Sequence, residues 1–485
     1  METMGELSEA EIKRKSVRGA ASYLMRTVVL NGISFAAMLY LAAKLSAAEF
    51  GVYGIVTQFV GLLVFFSDIG LASALIQKKE TPSRRELVTS FTVQQILAWS
   101  ILGFSVLVAQ FNWIGFKTGP VGNWILLALA SSFPLAGLKT IPSVLLERKL
   151  EYGRLVIPQL VETLFYNAVL VYLVWSGQGA MAFAYAIVVR AVVGVLTMYL
   201  LSPWRPGIGI YREALGLFKF GAAFQLNDLL ARVKDQFYFL ALGFYFPLTT
   251  FGYISWAKSW SLYPYQMTVQ NIIAITFPTY SRLQDNPALL RKMIEKTLYF
   301  IALVTFPLLV GMVLFSWPLM RLHEPYSKWQ PAIVSLALFS FNVAWSAVST
   351  PLTNALAAMG KMKKVLLLMV FWTILTYVLT IPLVLYFGFQ GVALASALVA
   401  LTTFIPIKMM QKHVPFSFFD QVWRQIMASG IMILVGWMGL AQWSTSFFWF
   451  FTGMLICGSA YLLSVVALGP RKFISELASV RRAAV

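Results

Sequence analysis

The chain has 485 residues, 59% of them hydrophobic and 12% charged, and its 38 Lys and Arg against 19 Asp and Glu give a net charge of +19. Such a surplus can signal nucleic-acid binding, but here the basic residues sit in short segments between long apolar runs, which suits anionic lipid head groups and excludes nucleic acid as a partner. One cysteine, Cys457, rules out an internal disulfide, and the two histidines, His323 and His413, are expected on opposite sides of a membrane, which argues against a metal site.

Fourteen stretches have the length that a helix needs to cross a bilayer, about 20 residues. In chain order they are 19 to 44, 50 to 77, 89 to 111, 121 to 146, 155 to 175, 180 to 201, 217 to 246, 249 to 281, 297 to 317, 330 to 359, 365 to 387, 390 to 409, 425 to 442 and 446 to 468. The polar start of the chain lacks the features of a cleaved signal peptide. Residues 6 to 17, ELSEAEIKRKSV, have the composition of a short amphipathic helix lying on the membrane.

The basic residues orient these spans. With the N-terminus in the cytoplasm, 28 of the 38 fall in tails and inward loops, four (Lys44, Lys117, Arg321 and Lys328) in outward segments and six inside helices, as the positive-inside rule requires. The rule also keeps the weak span 217 to 246, since without it every later basic cluster would lie outside. Both termini are therefore expected in the cytoplasm and the 112 to 120 and 318 to 329 segments outside.

No connecting segment is long enough for a separate catalytic domain, so the function is expected along the helices and no catalytic residue is assigned. No cofactor is expected either. Gly137-Leu138-Lys139-Thr140 lacks the upstream glycine of a phosphate-binding loop, and Gly360-Lys361 is followed by Met362 where Ser or Thr is needed. Cys457 is expected to be a small packing residue.

Three motif pairs suggest an internal duplication. Phe50-Gly51-Val52-Tyr53 is echoed by Phe251-Gly252-Tyr253, Gln178-Gly179 by Gln390-Gly391, and Pro142-Ser143-Val144-Leu145 by Pro351-Leu352-Thr353-Asn354. Six helices per copy is an even number, so both copies share one orientation and a pseudo-twofold axis along the membrane normal is expected. The implied organisation is a cytoplasmic tail at 1 to 18, a first lobe at 19 to 216, a second lobe at 217 to 412, and 413 to 485 carrying helices 13 and 14 with a cytoplasmic tail.

Ten ionisable residues fall at membrane depth, where charge is costly and needs a cavity or a partner. They are Arg26, Asp68, Lys139, Glu162 and Arg190 in the first lobe, then Asp228, Arg232, Lys234, Asp235 and Lys258. Asp228, Arg232 and Asp235, at spacing i, i+4, i+7, share one helical face about 60° wide, read either as a salt-bridge ladder or as a cavity lining. On helix 8, Ser255, Ser259, Gln266 and Gln270 share a face with Lys258 at its edge, among Trp256, Trp260, Tyr263 and Tyr265. Those rings suit either sugar stacking or an interfacial belt. Pro264 and Pro278 are expected to break this long helix. Arg26, Lys139, Arg190, Arg232 and Lys258 are the candidate anion ligands, with pairing to Glu162 the alternative for one of the first three, and Asp68, Glu162, Asp228 and Asp235 are the candidate coupling or gating groups. The polar pathway is expected between the first lobe and helices 7 and 8. Helices 13 and 14 either form an apolar groove or simply pack.

Four stretches carry a family resemblance: FGVYGIVTQFVGLLVFFSDIGLASALIQ at 50 to 77, LLSPWRP at 200 to 206, FPTYSRLQDNPALLRKM at 277 to 293, and FPLLVGMVLFSWPLMRL followed by KWQPA. They resemble the Wzx-type polysaccharide transporters of the multidrug/oligosaccharidyl-lipid/polysaccharide superfamily, in particular the subgroup with the colanic acid exporter. The resemblance implies an all-α polytopic protein of the bacterial inner membrane with two six-helix lobes, two further helices and alternating access. Its implied cargo is a polyprenyl-diphosphate-linked oligosaccharide moved as part of exopolysaccharide or lipopolysaccharide synthesis. A monomer among membrane lipids is expected, with a polysaccharide polymerase and glycosyltransferases as neighbours. The rival readings are a multidrug or cation antiporter of the same superfamily, a membrane glycan ligase or polymerase, and a plain scaffold.

Overall fold

The computed structural model describes residues 29–67, 71–78, 80–149, 151–211, 235–474 and 476, and every regular element among them is helical. In chain order these are α1 (Val29–Lys44), α2 (Ala47–Ser67), α3 (Leu71–Gln77), α4 (Arg84–Gln110), α5 (Gly115–Arg148), α6 (Tyr152–Trp175), α7 (Met181–Leu201) and α8 (235–245). There follow α9 (Leu248–Leu283), α10 (Pro287–Leu322), α11 (Ile333–Ala358), α12 (Met362–Phe387), α13 (Gln390–Gln411), α14 (Phe418–Met438) and α15 (Phe447–Leu468). A 3₁₀ segment, Glu324–Ala332, joins α10 to α11.

Among the described residues, ten helices are long and apolar enough to cross a membrane. Four of the fourteen expected spans are not among them. The first and seventh lie partly outside the described residues, and α9 and α14 are long helices with more polar residues along them. The chain divides into two compact units, Met1–Gly252 and Tyr253–Val485. The expected lobe boundary at 216/217 and the amphipathic segment 6 to 17 fall outside the described residues.

Local chemistry accounts for where helices begin. Ser83 and Glu86 form a reciprocal capping box at α4, Asn286 caps α10 with Pro287 in its first turn, and Ser446 caps α15. Ser46 and Glu49 cap each other at α2, and Glu49 also accepts from the Ala180 amide at 2.9 Å, tying the start of α2 to the start of α7. At the other end of the first unit, the Arg148 guanidinium donates to the carbonyls of Leu75, Ile76, Lys78 and Glu80, which satisfies the last turn of α3. The Lys78 ammonium is held above the usual lysine range, chiefly by its hydrogen bond to Glu86.

Two expectations about breaks need correction. The segment 112 to 120, read as a loop, is helical from Gly115 and kinks only at Gly119, whose φ of 69° precedes Pro120. Pro264 and Pro278 do not break α9, which runs through 36 residues. Each proline deletes only the backbone bond to the carbonyl four residues before it, and side-chain bonds from Tyr265 to Thr350 at 3.1 Å and between Thr268 and Thr305 at 2.8 Å hold α9 against α11 and α10.

The two similar Phe-Gly motifs meet within the first unit. A side chain at Gly51 would collide with the Leu248 carbonyl, and one at Gly252 with the Ala47 carbonyl. Gly51 and Gly252 are 201 residues apart, as are Ala47 and Leu248, so each glycine faces the residue four places before the other glycine. The contact is reciprocal, and glycine is what permits the two backbones to come so close.

Candidate functional site

Three of the ten intramembrane charges meet in the first unit. Lys139 lies nine residues before the end of α5, Glu162 ten residues into α6, and Arg190 eleven residues before the end of α7. At ~1.5 Å per residue all three lie roughly 14 to 16 Å from the same end of these antiparallel helices. Because α7 packs on both α5 and α6, one depth becomes one place.

The Lys139 ammonium donates to Glu162 Oε1 in a short hydrogen bond. Arg190 Nε lies 3.7 Å from Glu162 Oε2, an ion pair too long to count as a hydrogen bond. The carboxylate is buried, the ammonium nearly so, and the Arg190 side chain is 52% exposed. Arg190 also sits over the Tyr166 ring at 5.6 Å, and the Tyr166 hydroxyl bonds to that of Tyr53 on α2. Gly194, one turn after Arg190, supplies the recess for the carboxylate, since any side chain there would overlap Glu162. Two cations on one anion leave the cluster with one positive charge, and the exposed member is the one best suited to an anion.

Beside Lys139 is an open cavity of about 310 Å³ lined by Ala72, Ile76, Ala136, Lys139, Thr140, Ser143, Val144 and Glu147. It gives the lysine a polar surrounding, which lowers the cost of keeping it charged at this depth.

The second unit contains the opposite kind of site. A cavity of about 530 Å³ lies between α10, α11 and α14, lined by Phe306, Val313, Phe341, Trp345, Ile426, Ile433 and other apolar side chains. Among the described residues Ser340 and Ser429 are its only polar lining residues, and the buried Ser340 hydroxyl has no hydrogen-bond partner there. Its volume is in the range of small-molecule pockets, about 300–1,000 Å³. α14 helps to form it, whereas α15 packs behind: Phe315, Met432, Trp443, Phe450, Cys457 and Tyr461 form one buried cluster. Helices 13 and 14 of the sequence reading thus divide the two roles offered for them, and Cys457 is a packing residue in that cluster.

The remaining expected site residues are less concentrated. Arg26, Asp68, Asp228 and Arg232, with Lys234, lie outside the described residues. Asp235 is exposed at the start of α8. Ser259, Gln266 and Gln270 are exposed along α9, with Lys258 half-buried at the edge of that stripe. Neither reading of the neighbouring tryptophans holds. Trp256 and Trp260 are buried, and Trp256 stacks on the fully buried Trp329 at 4.9 Å and 9°, so they are core rather than a sugar platform or an interfacial belt. Tyr53, Tyr166 and Gly194 were not read as site residues. Only a glycine four residues after an intramembrane arginine, on the same helical face, could have signalled one of them.

This helical arrangement is similar to that of solved membrane proteins. The fold is similar to that of the lipid II flippase MurJ in an inward closed conformation, with a TM-score of 0.70 at 16% identity over 95% of this chain and 99% of that one. It is also similar to an inward-facing multidrug resistance MATE family transporter of the MOP superfamily, with a TM-score of 0.60 at 14% identity over 80% and 95% of the two chains. In sequence the chain is 23% identical over 374 residues to the lipopolysaccharide biosynthesis protein WzxC of Escherichia coli (strain K12), covering 72% of this chain and 71% of that relative. Residues 40–334, more than half of the chain, match the family model described as polysaccharide biosynthesis protein, and the chain belongs to that family. The resemblance read from the sequence therefore holds, and the protein is a multi-pass membrane protein with the MOP-type fold.

Proposed function

We propose that this protein is a flippase, moving a polyprenyl-diphosphate-linked oligosaccharide across the bacterial inner membrane by alternating access, with both termini cytoplasmic. The physical task is to carry a hydrated anionic head group across about 30 Å of hydrocarbon while its tail stays in lipid. No covalent bond is made or broken, so the protein is not an enzyme. Its partners are the lipid-linked cargo, membrane lipids, and the polymerase and glycosyltransferases that work on the same glycan.

The observation that carries this reading is the net-positive cluster of Lys139, Glu162 and Arg190, with its exposed guanidinium, in a chain of the polysaccharide biosynthesis family. Arg190 is the first anion ligand in this view, with Arg26, Arg232 and Lys258 as further cations and Ser259, Gln266 and Gln270 as sugar contacts. Asp68, Asp228 and Asp235 are left as coupling or gating groups. The apolar cavity beside α14 suits the prenyl tail. The test is reconstitution into proteoliposomes with a defined lipid-linked oligosaccharide under imposed proton or sodium gradients. Head-group translocation by the wild type and its loss in Arg190→Ala, at equal protein recovery, is the expected result; equal rates in the two would sink the assignment.

The likeness to the MATE transporter favours a second reading, a multidrug or cation antiporter. Efflux of cationic dyes from cells making the protein, with no effect on lipid-linked glycan, would select it. The net positive charge of the cluster argues against a cationic cargo.

A further inference from the structure

Glu162 serves two cations unequally. Its Oε1 is held by a full hydrogen bond from Lys139, a partner that is itself largely buried. Its Oε2 has only the 3.7 Å ion pair with Arg190, and among the described residues the guanidinium makes no hydrogen bond. The face of Tyr166 supports Arg190 in place of a second anion. An arginine so placed keeps all five donors for an incoming group, while its nearest counter-ion stays fixed to another helix. Gly194 holds the carboxylate in that recess, one turn from the arginine it serves.

We propose that Glu162 is a reserve counter-ion: it partners Arg190 when the site is empty, yields it to the diphosphate of the cargo, and stays neutralised by Lys139 meanwhile. Lys139 is then a positioning residue that never touches the cargo. Its ammonium keeps the carboxylate from closing a bidentate fork on Arg190, the geometry that would bury the guanidinium and block the site. When the diphosphate leaves, Glu162 is still in place to take Arg190 back, which keeps release from becoming the slow step. This inference rests on the flippase reading and specifies how its anion site is reset.

The two residues of the pair should therefore act in opposite directions. Binding of farnesyl diphosphate to the purified full-length protein in detergent, measured by calorimetry, reads this directly. Glu162→Gln, which keeps an oxygen for Lys139 but removes the rival charge, should tighten binding by roughly tenfold, the scale of one charge-assisted contact. Lys139→Met, which gives Glu162 wholly to Arg190, should weaken it by a similar factor, and the double variant should return close to the wild type. In proteoliposomes Glu162→Gln should lower both KM and kcat for the lipid-linked oligosaccharide, because release slows, a split that a merely structural salt bridge does not produce. Shifts of the same sign in the two single variants, or a double variant as weak as Lys139→Met, would overturn the proposal. Should Glu162→Gln fail to accumulate, unchanged binding in Lys139→Met is enough to reject it. A wild type that does not bind farnesyl diphosphate at all instead rejects the flippase reading on which the proposal rests.

Discussion

The two units handle the membrane interior in opposite ways. Along α5, α6 and α7 the first unit places three charges at one depth and satisfies them with each other. Along α10, α11 and α14 the second unit shows no charge in its cavity lining, only an apolar hollow. A charge in hydrocarbon must be paid for by a partner, which fixes helix rotation and depth, whereas apolar surfaces in lipid can separate and reseal at little cost. A rigid polar cluster and a yielding apolar hollow are complementary properties, suited to the amphiphilic cargo proposed above.

The difference should appear most strongly when Glu162 is removed. Glu162→Ala strands Lys139 beside Arg190, and losing one member of a buried pair costs about 3–5 kcal/mol. The protein should disappear from the membrane fraction on fluorescence-detected gel filtration, and adding Lys139→Met to the same chain should restore it. Normal recovery of the single variant would mean that the cluster is already well hydrated.

The converse change puts a charge where none exists. Val313→Asp, in the apolar cavity, has no partner and should cost about 2.5–3.5 kcal/mol on the scale for a charge at a helix centre. A thermal shift in detergent checks this, and an unchanged melting point would show that the hollow admits water.

Arg190→Lys should leave stability nearly unchanged, because the side chain is half exposed, yet reduce glycan export by about tenfold since an ammonium cannot form a bidentate contact with phosphate. Export equal to the wild type would reduce Arg190 to a point charge. The smallest effect is expected at Ser340, whose buried hydroxyl has no partner among the described residues. Ser340→Ala should be neutral or stabilise by up to about 1 kcal/mol, and a clear loss in thermal stability would point to a polar contact beyond the described residues.

These two regions were not equally legible. Lys139, Glu162 and Arg190 stand out because each interrupts an apolar run, and their common depth follows from counting residues to the helix ends. That both cations choose one carboxylate depends on how three helices are rotated, which periodicity in apolar segments does not record. The cavity beside α14 leaves no trace, since Val313 or Ile433 reads the same whether it faces a neighbour, lipid or empty space. Trp256 and Trp260 misled for a related reason: aromatic residues near a polar stripe suggest a surface, and only the partner Trp329, far along the chain, makes them core. At Pro264 the lost backbone bond was legible and the packing that tolerates it was not.

The contact between Gly51 and Gly252 also has a genetic consequence. Segments far apart in a chain usually diverge freely, each under its own constraints. Here the space that a side chain would need at either glycine is occupied by backbone of the other segment, at Leu248 and Ala47. Backbone cannot be trimmed by substitution, so a mutation in one segment has no compensating side-chain change in the other. The two positions are bound to a shared fate: however far the surrounding sequence drifts, neither glycine can gain a side chain unless the backbone at the other yields.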